Sequence, residues 1–430
     1  MIPQVYNSMS RLRTGRVCVL WVLTLLLCFL AAHPAQAATF KVLYSFQAQS
    51  DGDGPSSGVI RDAAGNLYGT TYAGGAFGYG TVFKIDKHGN ETVLYSFSGG
   101  TDGENPAGGL VRDADGNLYG TTSSGGKPDC GFGFTCGTVY KVDGHGNETV
   151  LYRFGGLPDG HSANAGLILD EAGNLYGTTQ AGGDNGCNPG YGCGIVFKID
   201  PQGRETILHA FTGTRNVDGA FPHAGLVADA SGNLYGTTTL GGAPTCITEQ
   251  FRGLLLPESP EYDTGGCGTV FKINTRGKET ILHRFSNYDG GASPAYPLIF
   301  DSAGNMYSTA NGGNGYNGIV FRLNHHLREK VLYNFSYHDG NPFAGLVQDA
   351  TGNFYGVTVE GDTHYEGTVF KLDTSGKYTI LYSFSGYSDG GFPSGTLVID
   401  QKGNLYGTAR DGGTRDCGDY GCGVVFKITP

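Results

Sequence analysis

The stretch Gly116-Asn-Leu-Tyr-Gly-Thr-Thr122 recurs, whole or slightly worn, at Gly65, Gly173, Gly232, Gly304, Gly352 and Gly403. Seven copies about 50 residues apart make a repeat protein, whose units bury their apolar faces against their neighbours. Three further apolar runs surround each copy. Gly-Leu-Val-x-Asp precedes it, as at Gly109–Asp113, Gly225–Asp229 and Gly345–Asp349. Gly-Thr-Val-Phe-Lys follows at Gly80–Lys84, Gly268–Lys272 and Gly367–Lys371, with variants opening at Gly137, Gly194, Gly318 and Gly423. Glu-Thr-Val-Leu-Tyr-Ser-Phe closes the unit at Glu91–Phe97, with relatives ending at Phe154, Phe211, Phe285, Phe335 and Phe384. Short runs rich in Val, Ile, Tyr and Phe, bounded by Gly, Asp and Asn, are strands joined by turns. No segment carries a helical apolar period of useful length.

Each unit is thus expected to be a four-stranded meander, A to D. Asp113-Ala-Asp-Gly-Asn117 is a tight A–B turn and Asp143-Gly-His-Gly-Asn147 a tight C–D turn, with Gly and Asn supplying positive φ. Seven such units predict an all-β, seven-bladed β-propeller. A β-solenoid ranks second, because its repeats are usually shorter. The last unit, Gly423–Pro430, stops after strand C, whereas Thr39–Phe46 reads as a strand D with no unit of its own. The N-terminal strand is therefore expected to complete the last blade and close the ring. Residues 38–430 form one propeller domain on this reading. The Tyr of strand B, the aromatic of strand C and the Phe of strand D are assigned to packing between blades.

The N-terminus reads as a signal peptide, residues 1–37. Arg11, Arg13 and Arg16 precede an apolar Val17–Leu30 and an Ala35-Gln36-Ala37 cleavage site. An uncleaved anchor is the weaker reading, since the apolar run is shorter than the roughly 20 residues a span needs. Cleavage removes three Arg and no acid, taking the formal net charge from −11 to −14. No basic stripe appears, which argues against nucleic acid as a partner. A secreted or periplasmic monomer, off the membrane after cleavage, is expected. Among the ten cysteines, Cys18 and Cys28 leave with the signal. The rest fall in pairs in the B–C loops: Cys130/Cys136, Cys187/Cys193, Cys246/Cys267 and Cys417/Cys422. In an exported chain these read as disulfides. The alternative, zinc, lacks nearby His pairs.

The order Gly-Leu-Val-x-Asp-x-x-Gly-Asn-Leu-Tyr-Gly-Thr-Thr, then Gly-Gly, then Gly-Thr-Val-Phe-Lys, resembles the GloVer tandem repeat. Clear matches are Gly109–Lys141, Gly166–Lys198, Gly225–Lys272 and Gly345–Lys371, and Leu298–Arg322 is the most worn copy. Such choice-of-anchor proteins look like exported bacterial proteins of undefined function. This sequence ends at Pro430 inside a strand C without a sorting anchor, so a soluble exported protein is expected. Asp-x-x-Gly-Asn-Leu-Tyr is also loosely similar to NHL-like and lactonase-like propellers, which bears on fold and not on function.

Alternating strands place the D–A and B–C loops on one face of the disc. That face holds the variable loops and the cysteines, so a binding site is expected there, near the channel mouth. Candidate ligand-binding residues are His161, His223, Tyr296, Phe343 and Asp218, each weighed against a purely structural role. An Asp-Gly recurs in the D–A loops at Asp51, Asp102, Asp159, Asp218, Asp289, Asp339 and Asp389. It is read first as a turn-former, with Asp51 and Asp53 as calcium suspects. His209 and His283 replace the Tyr of strand D and are read as structural. No cofactor and no catalytic residue are assigned, and seven units kept alike look like a binding scaffold. The expected role is a non-enzymatic binder of an extracellular polymer, glycan or protein. The alternative is a carbohydrate-active hydrolase or lyase using acids on the loop face.

Overall fold

The structure, a computed structural model, describes residues 38–48, 50–130, 135–187, 190–213, 218–242, 266–285, 291–312 and 317–430. The expected signal peptide, Cys246 and Asp289 lie outside the described residues. Seven antiparallel sheets follow one another as blades, each with strands in the order A-B-C-D, and blade 2 adds a fifth short strand, Glu104–Pro106, paired with its strand B. In blade 3 strand A is Ile168–Leu169, B is Leu175–Thr179, C is Ile195–Ile199 and D is Glu205–Ala210. Strand A is thus much shorter than the apolar run before each turn suggests.

The N-terminal strand closes the ring as expected. Thr39–Ser45 pairs antiparallel with Val424–Thr429, from Thr39 opposite Thr429 to Ser45 opposite Val424. The amide of Phe46 then donates to the Gly423 carbonyl at 3.1 Å.

Each residue of the repeated motif has its own task. The backbone and side-chain amides of Asn117 donate to the two oxygens of Asp113 at 2.8 and 2.6 Å, and the Tyr119 hydroxyl donates to Asp113 at 3.0 Å. Gly177 lies directly opposite Phe197 in the sheet, and a Cβ there would stand 2.6 Å from the Phe197 ring. The first Thr crosses to the next blade in several copies: Thr121 donates to the Ala165 carbonyl at 3.1 Å, Thr178 to Ala224 at 3.1 Å and Thr408 to Ser57 at 2.8 Å, while Thr70 of blade 1 meets the Ser57 hydroxyl of its own blade at 2.9 Å. Blade 6 has Val357 at this position, and there the Gly345 amide donates to Thr396 of blade 7 instead. The second Thr stays within its blade, as Thr122 with Thr138 at 2.9 Å. Such bonds leave few orphaned polar groups around the channel.

Between blades, the strand-D Phe meets the strand-C aromatic of the following blade. Phe154 and Phe197 stand edge to face at 5.1 Å, and so do Phe211 and Phe271. All four are fully buried. The glycine opening strand C also sits at this seam. A Cβ on Gly194 would come within 2.5 Å of Pro222, and one on Gly423 within 2.4 Å of Pro55 across the closure. Gly177→Ala forces a methyl into the Phe197 and Leu167 side chains, an overpacking expected to cost about 1–3 kcal/mol. A urea denaturation midpoint equal to that of the parent chain would refute this account of the strand-B glycine.

Candidate functional site

The two faces of the disc differ as their turns do. The A–B and C–D face repeats one device. At Asp62, Asp113, Asp170, Asp229, Asp301 and Asp400 the carboxylate accepts from the turn Asn and from the strand-B Tyr, and these bonds, against some desolvation, hold its pKa below the ordinary value. Such a surface is scaffold.

The other face opens on a cavity of ≈ 980 Å³ lined by residues of all seven blades. Small residues before each strand A, such as Ala107, Ala165, Ala224 and Ala344, form its inner wall. Larger groups stand at the mouth. Tyr296 and Phe343 line it with ring centroids 5.8 Å apart. His223 lines it too, and its enclosure by the ring of blades, only partly offset by a bond with the Ala295 backbone, lowers its pKa. Across the mouth, Arg410 pairs with Asp411 at 3.0 Å and stands 5.7 Å from the Phe392 ring centroid. Asp53 faces this pair, and burial, then the charge of Asp411, raises its pKa.

The structure separates the other candidates. His161 is buried beneath its loop, with Nδ1 against Ser162 and Nε2 against the Tyr191 carbonyl, both at 3.1 Å. It does not line the mouth. Asp51 accepts from Tyr44 and from the Gln47 amide, so its carboxylate faces strand D while that of Asp53 faces the mouth. Four further D–A aspartates turn the same way as Asp51. Asp102, Asp159, Asp339 and Asp389 accept from Tyr95, Tyr152, Tyr333 and Tyr382 of strand D at 2.8 to 3.0 Å. Disulfides Cys130–Cys136, Cys187–Cys193 and Cys417–Cys422 form within their loops. Cys267 is also disulfide-bonded, while its expected partner Cys246 is outside the described residues.

Two features were not singled out from the sequence. The first is an arc of exposed rings. Among the described residues, the large aromatics exposed to solvent are Tyr72, Phe77, Tyr79, Tyr337, Phe343, Tyr365, Tyr387 and Tyr420. All lie in D–A or B–C loops, and all belong to the adjacent blades 6, 7 and 1 or the loops leading into them. Tyr420, Tyr387 and Tyr337 are the most exposed, at 76%, 66% and 65%. The readable signal was a ring at a position the strands do not use.

The second feature is a carboxylate pair at the blade seams. In blades 1 to 4 the Glu opening strand D reaches the D–A aspartate at the seam with the preceding blade. Tyr152 donates to both Asp159 and Glu205 at 3.0 Å. Burial, then the neighbouring aspartate, pushes Glu91, Glu148, Glu205 and Glu279 up to about 7. At one seam His209 replaces the Tyr and gathers Asp218 and Glu279.

The profile of the Gloeobacter/Verrucomicrobia repeat matches residues 31–136, 131–255 and 243–426. No curated protein shows significant sequence similarity to the chain. Among solved structures, a fungal alcohol oxidase in complex with copper is similar at 15% identity, TM-score 0.51, over 91% of this chain and 77% of the other. The extracellular domain of a protein described as a one-component system from B. thetaiotaomicron is similar at 14% identity, TM-score 0.48, over 91% of this chain. The match spans only 42% of that second chain. A gluconolactonase from Xanthomonas campestris is similar at 14% identity, TM-score 0.40, over 91% of this chain and 89% of the other. At 15% identity the likeness to the oxidase bears on fold alone.

Proposed function

The chain belongs to the Gloeobacter/Verrucomicrobia repeat family, and on that premise we propose that it is an exported, non-enzymatic propeller that binds an extracellular polysaccharide on its loop face. The aromatic arc of blades 6, 7 and 1 carries this reading. Phenol rings offer flat apolar faces with a polar edge, which suits a pyranose ring with its apolar C–H face and hydroxyl rim. Rings that begin at the cavity with Tyr72, Phe343 and Tyr420 and continue over the loops of three adjacent blades suit a long chain better than a small molecule. The Cys417–Cys422 disulfide pins the loop that carries Tyr420, and the rigid blades carry the loops of the other rings. Disulfides also agree with an oxidising compartment outside the cytoplasm, and among the described residues no helix is long and apolar enough to cross a membrane.

The test is a broad glycan array, followed by affinity electrophoresis on the polysaccharides that are retained. Replacing Tyr387 and Tyr420 together by Ala is expected to weaken retention at least tenfold, since stacked aromatic pairs contribute about 0.5–1.5 kcal/mol each beyond burial. Retention unchanged in the double variant would overturn the site.

One observation favours the alternative, a carbohydrate-active hydrolase or lyase. Asp53, whose pKa is raised by burial and then by the charge of Asp411, stands near that second carboxylate at the mouth, and a pair of carboxylates is what glycoside cleavage uses. Release of reducing or unsaturated sugar by the parent chain, lost in Asp53→Asn, would establish that reading and replace the first.

A further inference from the structure

The seam between blades 3 and 4 differs from the one before it in one side chain. At the preceding seam the strand-D residue is Tyr152, whose hydroxyl donates to an aspartate of its own loop and to the glutamate opening the next strand D. His209 takes that place here, pairing with Asp218 through Nε2 at 3.1 Å. Glu279, from the strand D of blade 4, completes the group, and the nearest donor atoms of all three lie within 4.8 Å of one another. They border a cavity of ≈ 510 Å³ at the blade seam.

We propose that His209, Asp218 and Glu279 form a binding site for a divalent first-row metal ion of the zinc class. A hydroxyl in this position donates a proton to carboxylates, whereas a neutral imidazole nitrogen offers a lone pair. The repeat has thus exchanged a hydrogen-bond donor for a metal ligand beside two carboxylates that are already present. One imidazole and two carboxylates are a ligand set that zinc accepts, with one position left open. Donors about 2.0–2.1 Å from a tetrahedral ion stand about 3.3 Å apart, close to the existing contact between His209 and Asp218. The Oε1 atom of Glu279 is fully buried with no hydrogen-bond partner. The same orphan occurs in Glu91, Glu148 and Glu205, where the strand-D residue is Tyr, and in Glu329, where it is His283; among the described residues, only here do an imidazole and two carboxylates come together. Lys278 and Arg284 also border the cavity. Their charge disfavours a hard cation held by electrostatics alone, so an ion that bonds to nitrogen is preferred over calcium.

The test uses zinc chloride as the probe on the purified chain, stripped with chelator, with native mass spectrometry and calorimetric titration as readouts. His209→Tyr restores the residue that blades 1, 2, 5 and 6 carry at this position and is expected to fold. It should bind one zinc fewer than the parent chain, with the corresponding calorimetric site weakened by about 100-fold or more, the upper end of what loss of an outer-shell partner alone costs. The difference between chains is decisive rather than the total, because His283 meets Glu329 at 2.9 Å at the next seam. Glu279→Gln provides a second variant with the same expected loss. Equal zinc stoichiometry and affinity in the parent and both variants would overturn the site. Tighter binding of calcium than of zinc at the site lost in His209→Tyr would overturn the metal class.

Discussion

Deletion of residues 38–46 is expected to leave a chain that no longer melts cooperatively and that associates in solution. These residues contribute the outer strand of blade 7, paired along Val424–Thr429. Phe46 is fully buried and packs edge to face on Phe83 of blade 1 at 5.0 Å, while Phe40 stacks on Tyr382 of blade 6 at 3.7 Å. The strand therefore joins three blades at once. Removing a buried Phe costs about 3–5 kcal/mol, against a total stability of about 5–15 kcal/mol for a typical domain. Loss of Phe46 and the half-buried Phe40, with Val42 and Tyr44 between them, takes a large part of that total. The deletion also bares Val424–Thr429 as an unpaired apolar edge, a template for association. Circular dichroism melts and size-exclusion chromatography decide the matter. A monodisperse variant melting within a few degrees of the parent would show that the ring does not depend on this strand.

Stability should be greatest in mild acid and fall as the pH rises through neutrality. The seam glutamates Glu91, Glu148, Glu205 and Glu279 are pushed from the ordinary 4.5 up to about 7, mainly by burial and next by the partner aspartate. Between about pH 4.5 and 7 the folded chain holds protons that the unfolded chain has released. The contribution is complete below about 4.5 and is lost as the pH passes through about 7. Arg153 beside Glu148, Lys127 beside Glu205, and His209 and Arg284 beside Glu279 temper the effect without reversing it. The turn aspartates act the other way, because their lowered pKa values make their contribution disappear as the pH falls below the ordinary carboxylate range. The two sets together place the maximum near pH 5. With about 1 kcal/mol for each glutamate once solvent screening is allowed for, a drop in Tm on the order of 5 °C is expected between pH 5 and 8. Scanning calorimetry across that range measures it, and Glu205→Gln should flatten the slope. A Tm that holds steady or climbs from pH 5 to 8 would refute the seam glutamates as its cause.

The seven blades, their four-strand order and the closure by Thr39–Phe46 were all legible in the sequence, because each is written in local pattern and repeated. A turn needs Gly-Asn at fixed spacing, a strand needs alternating Val, Phe and Tyr, and a closed ring needs its strands to add up. The role of Gly120 and its counterparts in close packing was legible for the same reason, since the aromatic opposite recurs with them. The Thr pair was not. Nothing local shows that Thr121 reaches the carbonyl of Ala165 in the next blade while Thr122 stays at home with Thr138.

The candidate site was legible only as a face. Sequence order alone assigns the D–A and B–C loops to one side of the disc, and it placed Tyr296, Phe343 and His223 beside the mouth. It did not say that His161 is buried under its own loop, or that Asp51 and Asp53, two residues apart, face different surroundings. The aromatic arc, the seam carboxylates and the meeting of His209, Asp218 and Glu279 exist only in three dimensions. Their members come from different loops or different blades, 9 to 70 residues apart in the case of the histidine group. The repeat sets what every blade has in common, because common contacts must be encoded in each copy. Only the closed ring decides which of the unrepeated side chains become neighbours, because that neighbourhood is created by packing one blade against the next.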